Sequence, residues 1–128
     1  VFNIQEKDEA IRMAGRKLQP GEIPTFAMEY IIHGLKNICY GEIILVAQDR
    51  VLMQVEWNEK RRLDAWQEAA KGKCPYSSAM LEELAARIRQ EFGLLQYGKL
   101  VLVIRHGRLL QIERTEKQRF TGLDGEGI

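Results

Sequence analysis

Apolar residues recur along this chain with two alternating periods. Ala27, Ile31, Leu35 and Ile38 fall at i, i+4, i+8 and i+11, and Leu84, Ile88, Phe92 and Leu95 repeat that spacing. Such positions share one face of an α-helix, so each set predicts an amphipathic helix. Pro24-Thr25 and Pro75-Tyr76-Ser77-Ser78 precede the two helices with suitable start residues. Glu82 and Glu83 complement the dipole at the start of the second. After each helix, within 40–63 and again within 97–120, two runs rich in Val, Ile and Leu flank a tight break, which predicts a β-hairpin.

The two helix-hairpin units are copies. Tyr40 aligns with Tyr97, an offset of 57, and the match runs without a gap to Leu63 and Phe120. Identical pairs include Tyr40/Tyr97, Gly41/Gly98, Leu45/Leu102, Val46/Val103, Leu52/Leu109, Gln54/Gln111, Glu56/Glu113, Glu59/Glu116, Lys60/Lys117 and Arg62/Arg119. Self-similarity over this length marks an internal duplication. A weaker echo places Ala10, Ile11, Ala14 and Pro20 against Ala65, Trp66, Ala69 and Pro75, so each unit is expected to open with a further short helix, over 6–18 and 62–71.

The second hairpin has His106-Gly107 at its tip, a good two-residue loop because Gly accepts positive φ. The first has Asp49-Arg50 in the same slots, and Arg50 is a poorer turn residue, so this tip is expected to be distorted or closed differently. With two-residue loops, strict alternation puts Val101, Val103, Leu110 and Ile112 on one face, matched by Ile44, Val46, Met53 and Val55. That wholly apolar face is expected to pack on the helices. The other face runs from Leu100, Leu102, Ile104 and Leu109 into Gln111 and Glu113, and is half polar. A lone hairpin is only marginally stable. The expected fold is therefore α+β: two helix-hairpin repeats, over 1–63 and 64–128 and sharing one core, form a pseudo-two-fold four-stranded antiparallel sheet with helices on one face.

Composition changes little in this picture. At 45% hydrophobic and 29% charged residues the chain has the balance of a soluble globular protein. It has no apolar run of membrane-spanning length and no signal-peptide pattern at its start, which also lacks an initiator Met. A net charge of +1 argues against tight non-specific binding to nucleic acid. Cys39 and Cys74 are far apart and outside any CxxC or CxxH pattern, which excludes a recognisable zinc site or disulfide framework. They read as small buried hydrophobes in a reducing cytoplasm.

Catalytic constellations are thin. The sequence has no nucleophile elbow, HExxH, P-loop or dinucleotide-binding glycine pattern. His33, on the polar side of the first helix, aligns with Gln90; His106 aligns with Asp49. Neither histidine is repeated. Glu56 and Glu113 would form a carboxylate pair if the two-fold axis brought them together. No cofactor and no metal are expected, and the chain reads as a non-enzyme.

The polar residues kept in both copies form the candidate surface: Gln54, Glu56, Glu59, Lys60 and Arg62 in the first, and Gln111, Glu113, Glu116, Lys117 and Arg119 in the second. A structural role would have the Gln and Glu satisfy backbone groups at strand ends, with solvated Glu-Lys-x-Arg ion pairs worth little individually. The functional alternative is a symmetric pair of polar surfaces for a protein, a peptide or an anion. Arg105, Arg108, Arg114, Lys117 and Arg119 rim the second hairpin, and Lys60, Arg61 and Arg62 the first, a pattern that could touch nucleic-acid phosphates, although no aromatic residue is interleaved for base stacking. Trp66 is expected to cover the core from the linker helix, and Trp57, which aligns with Arg114, to pack under the linker.

One pattern is shared with a family. A Tyr-Gly, a run of aliphatics, a turn Gly, then Gln-Ile-Glu and Glu-Lys-x-Arg resemble the YezD-like family, small bacterial proteins carrying a domain of unknown function. The second copy matches through Tyr97, Gly98, Gly107, Gln111, Ile112, Glu113, Glu116, Lys117 and Arg119. The first has Arg50 for the turn Gly and Val55 for Ile. The resemblance covers 84–120 well and 27–63 less well. It implies a tandem fusion of two units and carries no biochemical activity; some members are similar to proteins encoded near sulfur-assimilation genes. The reading is a bacterial cytosolic binding or regulatory module, a pseudo-dimeric monomer or a homodimer, with a protein partner or a small anion. A nucleic-acid-binding accessory protein is the alternative.

Overall fold

The computed structural model describes residues 18–61, 63, 75–118 and 120. Its elements are α1 (Thr25–Asn37), β1 (Gly41–Gln48), β2 (Val51–Glu59), α2 (Ser78–Gly93), β3 (Gly98–Arg105) and β4 (Arg108–Glu116). The strands form one antiparallel sheet in the order β2-β1-β3-β4. Apart from Leu18 and Leu63, the short outer helices expected over 6–18 and 62–71 lie outside the described residues, as do Arg62, Trp66, Cys74 and Arg119.

The duplication sets the register of the central strand pair. Ile44 is the pairing partner of Val101, its own repeat equivalent, while Ile43 pairs with Leu102 and Leu45 with Leu100. The pseudo-two-fold axis therefore passes between Ile44 and Val101 and exchanges the copies about that point.

One core lies between the helices and one sheet face. Ile31, Leu35 and Ile38 from the first copy and Ile88, Phe92 and Leu95 from the second meet Ile43, Leu45, Ala47, Leu100, Leu102 and Ile104 there. Burying each of the larger side chains stabilises the fold by about 1.5–3 kcal/mol. The helix ends are held differently. Ser77 caps α2 by accepting a hydrogen bond from the Met80 N–H at 3.2 Å, whereas Pro24 starts α1 with no side-chain bond. Arg89 of α2 donates to the Ile23 carbonyl at 2.6 Å, tying α2 to the segment ahead of α1.

The buried face is the opposite of the one strict alternation predicts. Val46 pairs with Gln54 but Ala47 with Leu52, so Met53 is an extra residue; likewise Val103 pairs with Gln111 but Ile104 with Leu109, which leaves Leu110 extra. Each bulge shifts the phase of its outer strand by one residue. Both faces of β1 and β3 are apolar, so the outer strands decide which is buried. After the bulge, Val55, Trp57 and Ile112 align with Leu45, Ile43 and Leu102. Gln54, Glu56, Gln111 and Glu113 are left on the other face beside Ile44, Val46, Val101 and Val103. Met53 and Leu110, expected against the helices, are 57% and 58% exposed.

The first hairpin tip also departs from expectation, because it closes like the second. Asp49 and Arg50 have φ of 54° and 68°, against 56° and 74° for His106 and Gly107. Positive φ at both loop residues matches the right-handed strand twist. A cross-copy bond holds the non-glycine residue there: the Arg50 N–H donates to the Gln96 carbonyl at 2.7 Å, and the Gly21 N–H donates to the Arg50 carbonyl at 2.6 Å. The mirror bond runs from the Gly107 N–H to the Cys39 carbonyl at 2.9 Å. Each tip thus clasps the helix-to-strand connection of the other copy.

The repeated Tyr-Gly has a steric cause. A Cβ on Gly41 would sit 2.1 Å from the Asn58 carbonyl oxygen, and one on Gly98 would sit 1.9 Å from that of Thr115. The adjacent tyrosine carbonyls accept the next ladder bonds, from the Lys60 N–H at 2.8 Å and the Lys117 N–H at 2.7 Å.

Candidate functional site

Among the described residues no helix covers the sheet face opposite α1 and α2, and pairing across the four strands orders this open face into rows. The axis row reads Glu56, Ile44, Val101, Glu113 from β2 to β4. On one side of it stand Gln54, Val46, Lys99 and Thr115, and on the other Asn58, Glu42, Val103 and Gln111. The axis exchanges these two flanking rows. An apolar centre of Ile44, Val46, Val101 and Val103 is therefore framed by Gln54 and Glu56 on one outer strand and Gln111 and Glu113 on the other. The four polar side chains are exposed, and Gln111 Nε2 donates to Glu113 Oε2. Val101 is 6% exposed and the other three apolar residues are half-buried.

This geometry separates the two glutamates. They occupy the outer strands of one row, about 14 Å apart at the usual strand spacing, with Ile44 and Val101 between them. A carboxylate dyad needs its two groups in contact to share a proton, so Glu56 and Glu113 do not form one. No group of His, Cys, Asp and Glu among the described residues is arranged to hold a metal ion. The face offers hydrogen bonding and apolar contact.

The other repeated polar residues lie elsewhere. Glu59 pairs with Gly41 at one end of the sheet and Glu116 with Gly98 at the other. Glu116 accepts from the Gln96 and Tyr97 N–H groups at 3.1 and 2.9 Å, which seals the α2–β3 connection. Glu59 sits 3.7 Å from the Arg61 guanidinium, an exposed pair worth little. Lys60 and Lys117 serve the ladder through their backbone N–H groups. Four of the sequence candidates thus share the open face, and four mark strand ends.

Sequence reading missed the apolar centre of this face, because strict alternation assigned Ile44, Val46, Val101 and Val103 to the core. The residue order carries no decisive signal: in each copy two adjacent apolar residues, Leu52-Met53 and Leu109-Leu110, precede the Gln, and Met53/Val55 and Leu110/Ile112 fit a period of two as they stand.

Trp57 was expected under the linker and packs instead on α1. Its ring stacks on Tyr30 at 4.8 Å and 18° and lies 5.5 Å from the His33 ring. His33 is therefore half-buried against an aromatic ring. Beneath α2, the counterpart region is a groove of about 950 Å³ lined by Tyr76, Met80, Leu84, Arg87, Leu109 and Ile112, against about 300 Å³ beside Phe26 and Tyr30 in the first copy. A further hollow of about 420 Å³ lies beside Tyr97, Glu116 and Lys117.

A family model described as an uncharacterized small protein (DUF2292) matches the chain twice, over 27–63 and over 84–120. Together these stretches span more than half of the 128 residues. The chain belongs to this family and carries its unit in tandem. Each match runs from the helix through the hairpin, so the family unit is the helix-hairpin repeat that the axis duplicates. No curated protein and no solved structure matches the chain. No helix among the described residues is long and apolar enough to cross a membrane.

Proposed function

We propose that this protein is a non-enzymatic binding module that docks a partner protein on the open face of its sheet. The observation that carries the reading is the pairing of Gln54 with Gln111 and of Glu56 with Glu113 around an apolar centre. These side chains are exposed, and the core beneath them does not need their chemistry, yet both copies retain them. Apolar centres with polar rims are the usual anatomy of a protein interface. The axis row is acidic at both ends, so the complementary partner presents an apolar ridge flanked by Lys or Arg. This reading places the module in a bacterial cytosol. A link to sulfur metabolism rests on the sequence resemblance alone.

The test is retention from native lysate, with mass-spectrometric identification of what is bound. The wild-type chain is expected to hold one partner through a salt wash that the Glu56→Lys/Glu113→Lys variant loses, while the variant's circular dichroism and melting midpoint are unchanged. Identical sets of retained proteins would overturn the reading.

A further inference from the structure

The two ends of the sheet are related by the axis but differ in charge. One register step beyond the Gly41–Ile104 pair brings Tyr40 beside Arg105, whose partner across the hairpin is Arg108. On the other side the Lys60 N–H bonds the Tyr40 carbonyl. This end therefore carries Lys60, Tyr40, Arg105 and Arg108 in one row. The equivalents at the opposite end are Lys117, Tyr97, Gln48 and Val51, so three cations face one. The net charge of +1 conceals this polarity.

Nothing among the described residues calls for the excess. Arg105 and Arg108 are exposed and directly opposed, and like charges in that arrangement destabilise an antiparallel pair. Neither forms an ion pair among the described residues. The nearby acids among the described residues are Glu42, one row inward, and Glu59, which is engaged with the 75% exposed Arg61. The same end also holds the aromatic groups that sequence reading found missing. The Tyr40 hydroxyl bonds His106 Nδ1 at 2.8 Å, and the two rings meet edge to face at 5.1 Å and 68°.

We propose that this end of the sheet binds single-stranded nucleic acid, with Lys60, Arg105 and Arg108 on phosphates and the Tyr40–His106 ring pair against a base. The row spans about 14 Å across four strands and is open to solvent, a shape suited to an extended polymer. Cations tracking the backbone beside a stacking ring are the general means of holding a single strand without reading its sequence. The protein-docking reading depends on other side chains, so the two proposals fail separately.

Fluorescence anisotropy tests the assignment, with 12-nucleotide oligo(dT) and oligo(U), a duplex of equal length, and polyglutamate of equal charge. With three phosphates neutralised, the affinity should fall with salt at a log–log slope of about −2. Arg105→Gln with Arg108→Val, which installs the chemistry of the first copy, should weaken binding at least tenfold and flatten the slope to about −0.7. Its melting midpoint should hold or rise, and retention of a protein partner on the open face should persist. Tyr40→Leu should weaken binding about fivefold or more, while Tyr40→Phe, which keeps the ring, should restore it. Absence of binding at low salt would overturn the proposal, as would wild-type affinity in the double variant. Polyglutamate bound as tightly as the oligonucleotide would assign the row to an acidic protein segment, and tighter binding of the duplex would remove the stacking role.

Discussion

The two copies support the same hairpin with different chemistry beneath the helix. In the first, Gly34 leaves room for the Trp57 ring: a Cβ there would lie 2.8 Å from both Ile43 Cδ1 and Trp57 Nε1. Tyr30 and His33 complete an aromatic plug. In the second, the equivalent positions hold Glu91, Arg114, Arg87 and Gln90, and Arg114 reaches the Leu94 carbonyl at 3.3 Å. Accordingly α1 buries Ala27, Met28, Ile31, Gly34 and Leu35, whereas α2 buries Ile88 and Phe92. The plug has a cost, since the Trp57 indole N–H is buried without a hydrogen-bond partner among the described residues. The difference shows which contacts the fold requires. The central strands are apolar on the core face in both copies, while the outer helix-to-strand positions have diverged, to Gly34 and Trp57 on one side and Glu91 and Arg114 on the other.

Substitutions at equivalent positions can break or sharpen this comparison. The largest effects should be equal in the two copies. Gly41→Ala and Gly98→Ala each force a Cβ into a backbone carbonyl, and each should lower unfolding free energy in urea by roughly 3 kcal/mol or more. A clear inequality would mean that one copy tolerates distortion at its strand start.

Unequal effects should follow at the diverged contact. Trp57→Ala, which empties a half-buried aromatic site, should cost about 2–3 kcal/mol, against under ~1 kcal/mol for Arg114→Ala. Gly34→Glu should also be costly alone. Combined with Trp57→Arg, which installs the residues of the second copy and removes the ring that a side chain at 34 would meet, it should cost at least ~1 kcal/mol less than the sum of the singles in a double-mutant cycle. Simple additivity would break the claim that these two positions diverged together.

The smallest effect separates the two tips. Arg50→Gly relieves a side chain held at φ 68° and should raise the melting midpoint by a few degrees, corresponding to about 1 kcal/mol less the loss of its weak reach to Gly93. Gly107→Arg should lower the midpoint by a similar amount. Arg50→Gly without a rise would show that the cross-copy bonds to Gln96 and Gly21 already offset the strain.

Much of this architecture was legible in residue order. The helix faces through Ile31, Leu35, Ile88 and Phe92 followed from spacing, and the union of two hairpins in one sheet followed from the duplication and the instability of a lone hairpin. Two features were not legible, for physical reasons. The buried face depends on a one-residue bulge, and strands apolar on both sides conceal an error of phase. The Gly34–Trp57 and Tyr40–His106 contacts join residues distant along the chain, so local periodicity carries no trace of them. Of the candidate surface, Gln54, Glu56, Gln111 and Glu113 share a face, while Glu116 serves the backbone. Residue type alone does not distinguish those roles.

Placing Ile44 opposite Val101 on the axis has an evolutionary consequence. In a pair of identical chains the residue at that point meets itself, and any change elsewhere appears twice, so each substitution must be acceptable in both settings at once. Joining the halves in one chain removes that constraint and makes their association unimolecular, independent of dilution. Ile can then oppose Val, one flank can acquire a tryptophan while the other acquires an arginine, and one end can gather positive charge that its counterpart lacks.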